Sequence, residues 1–277
     1  MKLYLSCDME GTAGVSAWQQ CDPSDAREYP IYRRYMTREV RAAIEGARAA
    51  GVREVLVNDS HWDMRNLVWD ELPEDEDLRV VSGTRKPWSM AQGLDATFAA
   101  AFLTGYHAKA GDPATLAHTF SPETIYAVTV NGTHCSEALL VAGLAGTFGV
   151  PVVLVTGDRS AVDEAVRAMP WAIGVPVKDA VGFSAVDSMT PEAACEAIRS
   201  AAQEAIRAIR RAKPFVFDPP FELRIETVNV ENADFIELMP GFERIGGRCV
   251  RFRSAGYPAL LQAFVAATRL GAAANRP

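Results

Sequence analysis

The feature that most restricts the fold is an alternation of short apolar runs with helical stripes. Lys2–Cys7 (KLYLSC) reads as a buried strand, Val40, Ala43, Ile44, Ala47 and Ala50 recur at helical spacing, and residues 54–57 (EVLV) form a second apolar run. Thr37 is the expected N-cap of that helix and Gly51 its stop. Residues 15–36 lack a clear period and are expected to form a loop or short helix. Further strands are expected at 78–81, 99–104, 124–130 and 151–156, with a hairpin turn at Asn131-Gly132 and helices opening at Ser136 and Ser160. This order predicts an α/β fold: a mostly parallel, doubly wound sheet covered on both faces. After about residue 180 the pattern changes. Thr190-Pro191 opens a helix that buries Ala194, Ile198, Ala201, Ala205, Ile206 and Ile209, strands are expected at 222–228 and 248–253, and residues 257–270 close as a helix. The expected division is an α/β domain over 1–180 and a smaller α+β part over 181–277.

At 277 residues the chain has ample length for a core, and its net charge of −7 argues against a nucleic-acid or anionic-membrane surface. No apolar run approaches the roughly 20 residues of a membrane span, and the segment before Asp8 is unlike a signal peptide. The five cysteines are scattered without a CxxC pair, as expected of free thiols in a reducing, cytoplasmic setting.

In parallel sheets, ligands bind beyond the carboxyl ends of the strands. Asp8 and Glu10 stand there after the first strand, where an extended chain would put them on one face and Gly11 and Gly14 let the backbone turn away. Two adjacent carboxylates repel each other unless a cation lies between them. His61 and His107 follow two other strands, and Glu137 sits in the first turn of the helix after Ser136. Each alone has a plainer explanation: Asp8 as a cap, Glu10 as a solvated acid, a strand-end His as half-solvated, Glu137 as a partner of the helix dipole. Their convergence in one layer points to a metal. Zinc takes imidazole nitrogen and carboxylate oxygen, and a dinuclear centre needs about five or six protein ligands, an inventory that Asp8, Glu10, His61, His107 and Glu137 supply.

These residues lie in blocks that resemble a known family. Ser6-Cys7-Asp8-Met9-Glu10-Gly11 resembles the SxDxEG signature of the DppA-type D-aminopeptidases, metallopeptidase family M55. Val57 to His61, Lys86 to Met90, Gly105 to Ala108 and the segment from Asn131-Gly132 to Glu137 resemble its other blocks in the same order. The resemblance implies a peptidase with two zinc ions per chain. Asp8 would bridge the metals, with Glu10, His61, His107 and Glu137 completing the coordination. His118, eleven residues after His107, falls on the family's catalytic histidine. The resemblance further implies short D-amino-acid peptides with a free amino terminus as substrates, and a homodecameric ring with its sites facing an internal channel. His134, just before Glu137, departs from the family pattern and is expected on the surface of a hairpin.

The expected chemistry is amide hydrolysis by a bridging hydroxide, with His118 donating to the oxyanion or passing a proton to the leaving amine. His118 is expected to be a mobile loop imidazole and not a ligand. The acids around Glu10 or Asp59 are candidates to hold the substrate ammonium, and Lys86 to meet a substrate carboxylate or merely turn a loop. In the 181–277 part, expected to shape the substrate site and make oligomer contacts, Phe215, Phe217, Phe221 and Phe235 are candidates for a subunit interface, or each singly for ordinary core. Two other readings compete. Asp8-Met9-Glu10 and Gly157-Asp158 are faintly similar to the acids of haloacid-dehalogenase-type phosphatases, which would make Asp8 a nucleophile and Mg²⁺ the cofactor. A non-catalytic metal-dependent binding protein would keep the five ligands and have no use for His118.

Overall fold

The computed structural model describes residues 1–74 and 76–274. Strand β1 (Lys2–Cys7) leads through a one-turn helix α1 (Trp18–Cys21) into the long helix α2 (Tyr29–Ala49), then β2 (Glu54–Asp59), β3 (Leu78–Val81) and β4 (Ala100–Tyr106). The hairpin β5 (Ile125–Val130) and β6 (Thr133–His134) precedes α3 (Glu137–Thr147), β7 (Val152–Asp158), α4 (Arg159–Ala168), β8 (Ile173–Gly182) and β9 (Ala185–Ser188). Helix α5 (Pro191–Arg207), β10 (Phe221–Thr227), α6 (Val230–Glu237), β11 (Phe242–Arg244), β12 (Cys249–Ser254) and α7 (Tyr257–Ala273) complete the chain.

Seven strands form the main sheet in the order β3-β2-β1-β4-β7-β8-β9, parallel except for the β8–β9 hairpin at its edge. The order reverses at β1: β2 and β3 extend to one side, β4 and β7 to the other. That is the switch point at which doubly wound sheets open a crevice. Register makes the crevice level, since Cys7 pairs with Asp59 on β2 and with Thr104 on β4. Side chains on β1 alternate as the pleat requires. Leu3, Leu5 and Cys7 join α2 and α5 in one apolar layer, while Tyr4 faces the layer built by α3, α7 and the second sheet.

The second sheet is antiparallel, in the order β11-β12-β10-β5-β6. It takes β5 and β6 from the first half of the chain, and the main sheet takes β9 from the second. The sheets therefore do not part at residue 180. The local pattern of 124–130 specifies a strand but not its partner, which arrives about a hundred residues later as β10.

Other expectations shift in detail. Thr37 is not an N-cap: α2 begins at Tyr29 and passes through Thr37, whose Oγ1 donates to the Arg33 carbonyl 2.7 Å away. Burial of Tyr29 and Met36 carries the helix back through the supposed loop. Strand β4 runs on to Tyr106, two residues past the expected end. Phe221 is buried in the core, and Phe215 and Phe217 are half-buried against it, Phe217 stacking on Tyr257 at 5.6 Å. Phe235 is likewise half-buried, so the four phenylalanines form no exposed patch. Among the described residues, no helix is long and apolar enough to cross a membrane.

Candidate metal centre

The chain turns as soon as β1 ends, so Asp8 and Glu10 converge through a turn and not through strand alternation. Two crossings with β4 fix that turn: Asp8 N–H donates to Thr104 O at 2.8 Å, and Gly11 N–H to Gly105 O at 2.9 Å. Gly105 has φ +70°, and a Cβ there would lie 2.2 Å from the Asp8 carbonyl. Both the left-handed backbone and the contact demand glycine. Beneath the turn, the buried ammonium of Lys178 on β8 donates to the carbonyls of Glu10 and Val15. No pattern in the sequence distinguishes this lysine from an ordinary strand residue.

His61 follows β2, His107 follows β4, and both are buried. Each imidazole gives one N–H to a backbone carbonyl: His61 Nε2 to Cys21 at 2.8 Å, His107 Nδ1 to Ala108 at 2.9 Å, and His118 Nδ1 to Leu116 at 2.8 Å. A carbonyl only accepts, so these bonds fix the tautomers and turn the other ring nitrogen inward. His61 Nδ1 then lies 2.9 Å from Glu10 Oε2 and 3.4 Å from Asp8 Oδ1. His107 Nε2 lies 3.4 Å from Asp8 Oδ2 and 3.5 Å from Glu137 Oε2. Glu137 opens α3 behind the N-cap Ser136, and its Oε1 accepts from Phe120 N–H at 2.6 Å, which leaves Oε2 for the cluster.

His118 is not mobile. It is buried, its ring stacks on His107 at 4.1 Å with planes 4° apart, and the edge of Trp18 packs on it. Its Nε2 lies 3.8 Å from Glu10 Oε1. Three sets of donor atoms lie within 4.8 Å of one another: Asp8 with His107 and Glu137, Glu10 with His107 and His118, and Glu10 with Cys21 and His61. His118 and Cys21 thus reach the cluster beside the five expected ligands. Cys21 lay in a stretch without periodicity that gave no reason to place it here.

Crowded into one buried site, these groups shift one another's protonation. Burial, with Glu10 beside it, pushes the Asp8 carboxyl up to about 7. Burial would raise Glu10 too, but the neighbouring imidazoles hold it well below the usual carboxylate range. His61 and His107 are driven well above 6.5 by these acids despite burial, while burial and the His107 charge lower His118. With His61 and His107 in the neutral tautomers set by their backbone carbonyls, Asp8 Oδ2 and Glu10 Oε2 are buried and accept no hydrogen bond. Two orphaned carboxylate oxygens facing inward imidazole nitrogens are the donor set of a divalent cation, and nitrogen with oxygen suits zinc.

Other candidates have different duties. Asp59 is fully buried outside the cavity lining and accepts from Asn66 N–H, the Asn66 amide and Leu67 N–H, so it braces that loop and does not meet a substrate ammonium. Lys86 is buried and donates to Asn58 Oδ1 and Asp59 O, both at 2.6 Å, which straps the 84–89 loop to β2. Asp158 caps α4 through Ala161 N–H and accepts from Ala108 N–H, so it is committed away from the role a phosphatase would give it. His134 is exposed on β6, as expected. A cavity of about 590 Å³ opens over the cluster, walled by Trp18, Trp62, Phe120, Phe183 and one face of α7.

Known proteins share this arrangement of chain. The pattern of peptidase family M55, described as D-aminopeptidase, matches residues 1–266. A D-aminopeptidase of Bacillus subtilis (strain 168) is 36% identical over 273 residues, covering 98% of this chain and 97% of the relative. A solved structure described as the Zn-dependent D-aminopeptidase DppA from Bacillus subtilis, a self-compartmentalizing protease, superposes with a TM-score of 0.94 at 34% identity, covering 100% of this chain and 99% of that one.

Proposed function

The chain belongs to peptidase family M55, the D-aminopeptidases, and from that membership we propose that it removes the amino-terminal residue of short D-amino-acid peptides at a two-zinc centre. The observation that carries the two-metal reading is the position of Asp8. Its Oδ1 faces His61 and its Oδ2 faces His107, 3.4 Å from each, so one carboxylate looks into two half-sites. Glu10 and His61 would complete one half-site, His107 and Glu137 the other. Zinc bound there supplies Lewis acidity toward the scissile carbonyl and brings the pKa of a water from 15.7 toward roughly 7.

The protein's own part is orientation and proton transfer. The carbonyls of Cys21 and Ala108 hold the two ligand imidazoles in the tautomers that leave lone pairs for metal. His118, tied at Nδ1 and lowered in pKa by burial, presents a neutral Nε2 beside the cluster. That nitrogen suits a base that takes the proton from the attacking water. The new carbon–oxygen bond then forms, the carbon–nitrogen bond breaks, and Nε2 returns the proton to the departing amine. Of the roles expected for His118, this proton shuttle fits its tautomer better than permanent donation to an oxyanion. The aromatic walls keep bulk water from the bond being cut.

The test is metal analysis of the purified protein together with turnover of paired D- and L-dipeptides. We expect about two zinc ions per chain, loss of activity on chelation, recovery with zinc and preference for the D-peptide. Recovery with Mg²⁺ alone would instead favour the phosphatase reading, and full zinc without turnover of any peptide would favour a binding protein. Assembly into a ring that encloses the sites belongs to the same proposal, supported by the relative described as self-compartmentalizing, as does cytoplasmic operation, which the free cysteines favour.

A further inference from the structure

We propose that Arg269, with Arg85 beyond it, forms an anion subsite that takes the free carboxylate of a short peptide, so that the enzyme reads both ends of its substrate. The inference rests on the peptidase reading above. Val265, Thr268, Arg269 and Ala272 all line the cavity over the metal cluster. Their spacing of three, four and seven is one face of α7, which makes the helix a wall of the site. Val265 and Arg269 also line a neighbouring cavity of about 270 Å³, whose walls include Arg85 but none of the metal-cluster residues. Arg269 therefore stands where the two spaces meet, and the second space holds none of the cluster's acids.

Its charge is held in place but not neutralised. Among the described residues its one hydrogen-bond partner is the uncharged Thr84 Oγ1, at 3.0 Å. Elsewhere on the surface Arg34, Arg159, Arg244 and Arg251 each meet a carboxylate. Among the described residues Arg33 likewise meets no carboxylate, bonding only backbone carbonyls, so what sets Arg269 apart is that it lines both cavities. A guanidinium carries five N–H groups, and a bond to one hydroxyl leaves enough for a two-pronged grip on a carboxylate. Arg85 adds a second positive charge from a backbone with φ +67°, on a loop fixed by the buried Lys86 next to it. Acids and metal at one end and guanidinium at the other match a zwitterionic peptide, ammonium inward and carboxylate outward.

The experiment compares D-alanyl-D-alanine with its C-terminal amide on the zinc-loaded protein, wild type and Arg269→Met, with zinc content measured for both. We expect the wild type to favour the free acid by roughly tenfold or more in kcat/KM, mostly through KM, as for loss of a charged contact made in the ground state. In Arg269→Met the acid-to-amide ratio should fall to within about twofold of one at equal zinc content, Arg269→Lys should keep part of it, and Arg85→Met should lower it less. A wild type indifferent to the amide, or an Arg269→Met that still discriminates, overturns the subsite. If no peptide is hydrolysed, the peptidase reading fails separately, and calorimetric binding of the same two compounds decides the subsite by the same ratio.

Discussion

At the scale of single residues, Asp8 is the group on which the two half-sites depend. Its oxygens face different imidazoles, and one of them is a buried acceptor without a donor. Asp8→Ala should therefore release both zinc ions or leave one weakly held, since the remaining cations would lose the charge between them. Elemental analysis of the purified variant gives the answer, and full metal content would remove Asp8 from its bridging role. His118 separates binding from chemistry. His118→Ala should retain zinc and fold but lose roughly 10²-fold or more in kcat, the usual cost of an acid–base group. Wild-type turnover by a zinc-replete variant would exclude the proton shuttle, whereas loss of a metal would turn His118 into a ligand, which its distance to Glu10 permits. Asp8 is legible because paired acids are unusual at a strand end, whereas His118 is marked only by its spacing from His107 in the family resemblance. The sequence could not reveal that Asp59 and Lys86 are spent on Asn66, Leu67 and Asn58, since hydrogen-bond commitments between loops leave no local signature.

Between elements, the site depends on how closely β1 and β4 approach. Gly105→Ala would place a Cβ 2.2 Å from the Asp8 carbonyl on a left-handed backbone. The turn carrying Asp8 and Glu10 must move, so we expect a loss of stability of about 2 kcal/mol or more together with weakened zinc retention. Thermal melts with and without chelator would separate the two effects, and unchanged metal affinity would show that the turn holds its shape without the glycine contact. Helix α2 reaches the same turn through Glu39, whose Oε1 accepts from Ala13 N–H at 2.8 Å while Oε2 is buried without a partner. Burial lifts this carboxyl from 4.5 to about 7. A raised acid favours the folded state in its protonated form. Its contribution is complete below pH 4.5 and disappears as the pH rises through 7, a swing of about 3 kcal/mol at most. Glu39→Gln, which keeps an acceptor for Ala13, should flatten the decline in melting temperature between about pH 5 and 8 and be the more stable protein at pH 8. An identical pH slope in both proteins would contradict the assignment. The periodicity of α2 was legible, but its start was not: Thr37 has the chemistry of a cap, and only tertiary burial of Tyr29 and Met36 extends the helix past it.

For the whole molecule, the open question is what covers the mouth of the cavity. Local pattern exposed the parallel half of the fold, because each β-α-β unit is written in consecutive residues. It did not expose the pairing of β5 with β10, which depends on segments far apart in the chain. For the same reason the phenylalanines of the second half looked like an interface when they are packing, as the stack of Phe217 on Tyr257 illustrates. Besides Trp62, which walls the cavity, the apolar groups that face outward near the site include Val181, 73% exposed, and Phe183, 54% exposed. These two lie at the tip of the β8–β9 hairpin, on the edge of the main sheet, where β9 has a free side for pairing. Phe183 also lines the metal cavity, and its carbonyl accepts from Leu116 N–H, two residues before His118. A neighbouring subunit docked on this tip would therefore sit over the entrance, which is what a ring with enclosed sites requires. We predict that light scattering at micromolar concentration gives a mass several times 30.0 kDa, and that Val181→Asp with Phe183→Asp shifts it to smaller species without loss of zinc. A charge buried at an apolar contact costs several kcal/mol, enough to open an interface of ordinary size. A wild-type mass near 30 kDa would eliminate the ring, and an unchanged assembly in the double variant would move the interface elsewhere on the surface.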